Sequence, residues 1–176
     1  YLTVSPPDQD GIAKYIVLGA EFRHPEHDTV QFGVIFQIIS DEQSEREDII
    51  NEKFPNRITS IEFFDPNPNC PLGILIGLEN GSLIVGDVNF AKHEIETKQI
   101  IQLGVSPCHI RVLRNKAKPL IFGLSTRMWL LEIFNNQNLI KAHPFFATSP
   151  SFMTMDDGYR LFLISGKIFS IYVLTQ

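Results

Sequence analysis

Two imidazoles and a carboxylate fall within four residues at His24-Pro25-Glu26-His27. Such groups hold a metal when they converge with a deprotonated ring nitrogen. Pro25 rules out a regular helix across the segment, and no third or fourth ligand follows at a metal-site spacing. The segment therefore reads as a loop, with His24, Glu26 and His27 as candidate contacts for a protein partner. His93, His109 and His143 stand singly and are given no chemistry. Cys70 and Cys108 match neither a zinc pattern nor a disulfide framework and read as reduced thiols. There is no Gly-x-Ser-x-Gly elbow and no glycine-rich phosphate loop with its lysine, so no catalytic residue, cofactor or metal is expected. Arg127 and the single tryptophan, Trp129, follow a turn. Residues of these types anchor protein interfaces. Both are candidate partner contacts; packing between blades is the alternative for Trp129, and Arg127 at the turn is the better surface candidate.

Composition narrows the classes. The 176 residues carry a formal charge of −5 and are 44% hydrophobic, enough for a core. The acidity argues against a nucleic-acid footprint. Arg111, Arg114, Lys116 and Lys118 form a cluster too short for one and are read as a solvated turn. No apolar run reaches a membrane helix's length, and no secretory pattern opens the chain. Asn80-Gly81-Ser82 fits a glycosylation acceptor, but a hairpin turn accounts for it more simply.

The elements that must position these residues are strands. Short runs rich in β-branched and aromatic residues are bounded by Gly, Pro, Asn or Asp. They span 15–20, 33–39, 58–64, 73–78, 82–88, 108–113, 119–124, 128–134, 160–165 and 168–174. Weaker outer or lead-in strands are expected at 98–102, 138–142 and 151–155. The charged stretch 41–53 reads as a solvated connection. Several runs are almost continuously apolar, as in a sheet buried on both faces. A strand pair joined by a tight turn recurs at 73, 119 and 160, and an earlier pair, 15–20 with 33–39, is spread by the excursion 21–31. A four-stranded antiparallel unit repeating every 40–50 residues or so is the pattern of a β-propeller blade. Gly73, Gly77, Gly86 and Gly123 mark positions where such sheets crowd. The expected fold is all-β, a WD40-like propeller segment of three to four blades, with residues 1–176 as one segment of a larger multi-propeller protein. A β-sandwich is the structural alternative. Partner contacts are expected on the excursion 21–31 and the loop 41–53, where insertions into a regular blade reach its rims.

Three motifs carry a resemblance. They are Leu75-Ile76-Gly77-Leu78-Glu79-Asn80-Gly81-Ser82-Leu83, then Leu103-Gly104-Val105-Ser106-Pro107 with Ile110-Arg111-Val112-Leu113, then Leu124-Ser125-Thr126-Arg127-Met128-Trp129-Leu130. In this order they resemble the second propeller of a family of very large triple-propeller proteins. That family includes the large subunit of the damaged-DNA-binding protein, the large propeller subunit of splicing factor 3b and the large subunit of the cleavage and polyadenylation specificity factor. The Arg-x-Trp-Leu hairpin is most similar to the splicing branch. Tyr15-Ile16-Val17-Leu18-Gly19-Ala20 with His24-Pro25-Glu26 and Gly33-Val34-Ile35-Phe36 is similar to a different propeller of the damaged-DNA-binding branch. The resemblance covers 58–174. It implies a non-enzymatic nuclear scaffold, either a cullin ubiquitin-ligase adaptor in DNA repair or a splicing or 3′-end processing factor. The implied partners are cullin and substrate receptors, or splicing and polyadenylation subunits. A ligand-binding or catalytic propeller with a site in its central channel is the alternative.

Overall fold

A computed structural model describes residues 2–4, 15–23, 30–38, 48–64, 71–89, 92, 94–113, 119–134, 139–145, 150–155 and 160–174. Every regular element among them is a strand. Sheet 1 contains β1 (Leu2–Val4), β2 (Tyr15–Arg23), β3 (Val30–Ile38) and β4 (Asp48–Phe54). Sheet 2 contains β5 (Ile58–Phe64), β6 (Gly73–Leu78), β7 (Ser82–Asn89) and β8 (Glu94–Gln102). Sheet 3 contains β9 (His109–Leu113), β10 (Leu120–Leu124), β11 (Met128–Phe134) and β12 (Leu139–Pro144). Sheet 4 contains β13 (Phe152–Met155), β14 (Arg160–Ser165) and β15 (Ile168–Val173). Within each sheet the strands follow chain order, each antiparallel to the next.

The four sheets stack in sequence. First strand lies by first strand, β1 on β5, β5 on β9 and β9 on β13, and the fourth strands β4, β8 and β12 follow one another likewise. Three apolar clusters fill the three gaps. Alternation along a strand sends successive side chains to opposite faces, and sheet 2 uses both. Ile74, Ile76 and Leu78 join Val17, Val34 and Phe36 of sheet 1. Leu75, Leu83 and Val85 join Ile110, Ile121, Leu131 and Ile140 of sheet 3. All of β6 is buried, which is why it reads as an unbroken apolar run. Phe122, Leu124 and Met128 then meet Met153, Leu161 and Leu163 of sheet 4. Full burial of one such side chain contributes about 1.5–3 kcal/mol.

Close approach selects glycine most tightly at Gly77. A Cβ at Gly77 would collide with the Cys108 carbonyl and with Ser60 Oγ. Gly81 has φ 83° in the β6–β7 turn, a conformation that side chains disfavour. Asn80 Oδ1 accepts the Ser82 N–H at 3.1 Å, so this tripeptide is a hairpin turn.

Three expectations change. Residues 48–53 of the charged stretch, with Phe54 after it, form β4, paired with β3; backbone ladder bonds outweigh the low strand propensity of Asp, Asn, Glu and Lys at an edge. Residues 21–23 and 30–31 of the excursion belong to the β2–β3 ladder, paired from Glu21↔Phe32 to Arg23↔Val30. Arg111 lies in β9 instead of a solvated turn, and its guanidinium sits 3.3 Å from Glu62 of β5. Arg114, Lys116 and Lys118 lie outside the described residues.

The stack fixes a contrast in stability. Leu75→Ala should lower unfolding free energy by about 2–5 kcal/mol. Ile100→Ala on exposed β8 should stay within about 0.5 kcal/mol. Urea titration monitored by circular dichroism measures both; equal losses would mean that sheet 2 is not the shared centre.

Candidate functional site: the rim of turns

The chain path brings one set of connections to the same end of the stack. These are the turns between second and third strands and the links that leave each fourth strand for the next sheet. Described residues of this rim are Pro55–Arg57, Glu79–Gly81, Leu103–Cys108, Ser125–Arg127, Phe145, Pro150–Ser151 and Gly166–Lys167.

The rim is tied across the sheets. Arg57 lies 3.1 Å from Glu21 of β2 and 3.8 Å from Glu79 of the β6–β7 turn. Hydrogen bonds from Arg23 and Arg57 hold the exposed Glu21 carboxyl below its ordinary pKa. The Leu103 N–H donates to the Gly81 carbonyl at 3.0 Å. The Leu103 carbonyl accepts the indole N–H of Trp129 at 2.7 Å. Val105 N–H donates to Thr126 Oγ1 at 2.8 Å, and Ser125 Oγ–H donates to the Ser106 carbonyl. The hydroxyls of this rim thus brace backbone.

Beneath the rim the first strands are locked together. The Cys108 N–H donates to Leu78 at 2.9 Å. Its carbonyl accepts from Thr59 Oγ1 at 2.6 Å and Ser60 Oγ at 3.0 Å. A register shift between Ile58 and Ser60 lets two consecutive side chains reach one carbonyl. Burial pushes the Cys108 thiol up to about 12, so it is protonated at neutral pH and is no nucleophile.

Sequence-predicted residues separate here. The Trp129 ring is half-buried and packs on the cluster between sheets 2 and 3. Arg127 is exposed, its guanidinium carbon 5.4 Å from the Trp129 ring centroid, in cation–π range. His24, Glu26 and His27 lie outside the described residues, between β2 and β3. Sequence reasoning missed Val105, 84% exposed, whose N–H is held by Thr126, the residue before Arg127. It also missed a cleft of about 500 Å³ between sheets 3 and 4, lined by Ser106, Pro107, His109, Leu124, Ser125 and Pro150, among others. An apolar residue in a Gly-Val-Ser-Pro turn was the available signal.

Desolvation, then the Arg111 charge, depresses the His109 pKa below 6.5, while a hydrogen bond to Thr59 backbone opposes them. Among the described residues no group of three or more His, Cys, Asp or Glu gathers as a metal site would require. The rim offers apolar surface, one stacked guanidinium and a cleft of mixed polar and apolar lining, which are binding chemistry. The chain matches no family model, and no curated protein matches it significantly.

The depressed His109 pKa fixes a sign. The unfolded chain takes up this proton at higher pH than the folded one, so the stability contribution is complete above about 6.5 and is lost as pH falls. In an NMR titration His109 should titrate below an ordinary histidine, and Arg111→Gln should raise its midpoint. A midpoint at or above the ordinary value would contradict the placement of its ring.

Proposed function

We propose that the stacked sheets are blades of a β-propeller segment and that the chain is a non-enzymatic protein-interaction scaffold. The observation that carries this reading is the rim. Val105, Arg127 and the face of Trp129 form a surface of the residue types that anchor protein contacts, on loops held in place by bonds between sheets. The cleft between sheets 3 and 4 lies beside it and suits a partner's protruding side chain. The resemblance to the triple-propeller family extends the proposal to a place in a large nuclear complex, with a cullin ligase adaptor and a splicing or 3′-end processing factor as its two branches. The net charge of −5 favours protein over nucleic acid as the thing bound. A channel-centred catalytic or ligand site needs converging titratable groups on the first strands. There Glu62 and Arg111 neutralise each other at 3.3 Å, which favours the scaffold.

Quantitative affinity capture with tagged chain tests the proposal. Arg127→Ala and Val105→Asp should each deplete one common set of proteins about tenfold or more without changing the melting temperature. Lys92→Ala, exposed between β7 and β8, should retain that set. Equal recovery with all variants would remove the rim from the account.

A further inference from the structure

Arg127 is a cation without a counter-charge among the described residues. Three segments meet at its end of sheet 3: the link 103–108 from β8 to β9, the β10–β11 turn 125–127, and the chain 145–151 from β12 to β13. Their sequences contain no Asp or Glu, and Arg127 is their one Lys or Arg. The whole chain carries 20 acidic residues against 15 basic, so this shortage of carboxylates is local. Glu79, on the neighbouring turn, is already paired with Arg57 at 3.8 Å. Other cations have carboxylates as well: Arg23 has Glu21, Lys98 has Glu96 and Arg111 has Glu62. Arg127 has the Trp129 ring instead.

That ring holds the guanidinium ready. The indole is fixed by its bond to the Leu103 carbonyl at 2.7 Å, and Arg127 lies over it, 5.4 Å from the centroid. Stacking uses the face of a guanidinium and leaves the N–H donors on its edge. Those donors are the fork that grips a carboxylate with two parallel bonds. Ordering a long side chain is a cost of binding, and the stack reduces it beforehand.

The cleft between sheets 3 and 4 begins at the same turn. Ser125 and Thr126, just before Arg127, line it, and Pro107, Leu124 and Pro150 give it apolar surface. Three of its hydroxyls are engaged with backbone. Ser125 Oγ–H donates to the Ser106 carbonyl, Thr126 Oγ1 accepts the Val105 N–H, and Ser151 Oγ–H donates to the Ile164 carbonyl at 3.1 Å. Burial and the Arg111 charge hold His109, also in the lining, toward its neutral form. Such a cleft suits an apolar side chain, and its volume of about 500 Å³ admits an aromatic one.

We infer that this end of the rim binds an acidic peptide segment, with a carboxylate on Arg127 and an aromatic or large apolar side chain in the adjacent cleft. The acidity of the chain as a whole repels such a segment elsewhere on the surface and so directs it here. The inference rests on the rim reading above and names the partner's chemistry.

Fluorescence anisotropy with labelled synthetic peptides tests it. In a glycine–serine background each peptide carries one phenylalanine and a pair of aspartates, separated by about two to four residues, the reach of an extended chain across one turn. Matched peptides replace the aspartates with lysine, or the phenylalanine with serine. Expected is saturable binding of the acidic peptides, weaker by about tenfold or more with either replacement, and falling as salt rises. Trp129 indole and Ser125–Arg127 amide signals should shift in the ¹⁵N spectrum of the bound chain. Arg127→Glu should weaken acidic peptides about tenfold or more and turn the preference toward lysine, with an unchanged melting temperature; Lys92→Ala should alter neither. Equal binding of the aspartate and lysine peptides, or no saturable binding, would overturn the inference. The rim reading would survive that result if protein capture still depended on Arg127 and Val105. Tighter binding of oligothymidylate than of every acidic peptide would also overturn the inference, since the occupant would then be a nucleic-acid backbone.

Discussion

A sheet that is apolar on both faces cannot hide itself, and sheet 2 is such a sheet. Its second strand has no exposed residue, and its two faces supply side chains to two separate clusters. A solvent-facing sheet alternates polar and apolar positions; this one has no polar face to offer. Sheets 1 and 3 must therefore lie on either side of it. Sheet 3 repeats the requirement more weakly, with Phe122, Leu124 and Met128 turned toward sheet 4. Burial falls from there, and β15 is mostly exposed. The stack holds together because each sheet is a cover for the one before.

Apolar contact alone permits sliding. Directional bonds between sheets fix the offset. The Cys108 backbone is gripped by Leu78, Thr59 and Ser60, and the Ile110 N–H donates to Ser60 Oγ at 3.1 Å. At the outer edge the Gln99 amide takes both backbone groups of Ile140. Its oxygen accepts the N–H at 2.9 Å, and its nitrogen donates to the carbonyl at 3.0 Å. Buried backbone groups left without partners are costly, so these bonds select one registration of sheet on sheet. The rim inherits its geometry from that registration: Trp129 meets Leu103 and Thr126 meets Val105 because sheets 2 and 3 are locked.

Much of this was legible in the chain. The hairpins at Asn80-Gly81 and Gly166-Lys167 announce themselves by residues that supply positive φ, and the doubly buried sheet by its unbroken apolar runs. Trp129 packed half-buried between sheets 2 and 3 and Arg127 outside followed from size and charge. Less was visible where tertiary pairing overrides local character. β4 looks like a solvated loop because its acidic residues and Lys53 mask a ladder set by β3. The Arg111–Glu62 pair joins residues 49 positions apart, and no local pattern encodes it. The cleft exists only once sheets 3 and 4 are placed. His24, Glu26 and His27, the first residues to suggest chemistry, fall outside what is described.

The central claim is that adjacent residues of one strand serve two different sheets. Methyl–methyl nuclear Overhauser spectroscopy tests it directly. Ile76 and Leu78 should show cross-peaks to Val17 and Val34, while Leu75, Leu83 and Val85 show theirs to Ile110, Ile121 and Ile140. Cross-peaks from both sets to a single partner sheet would contradict the account, since two facing layers would then suffice to bury this chain.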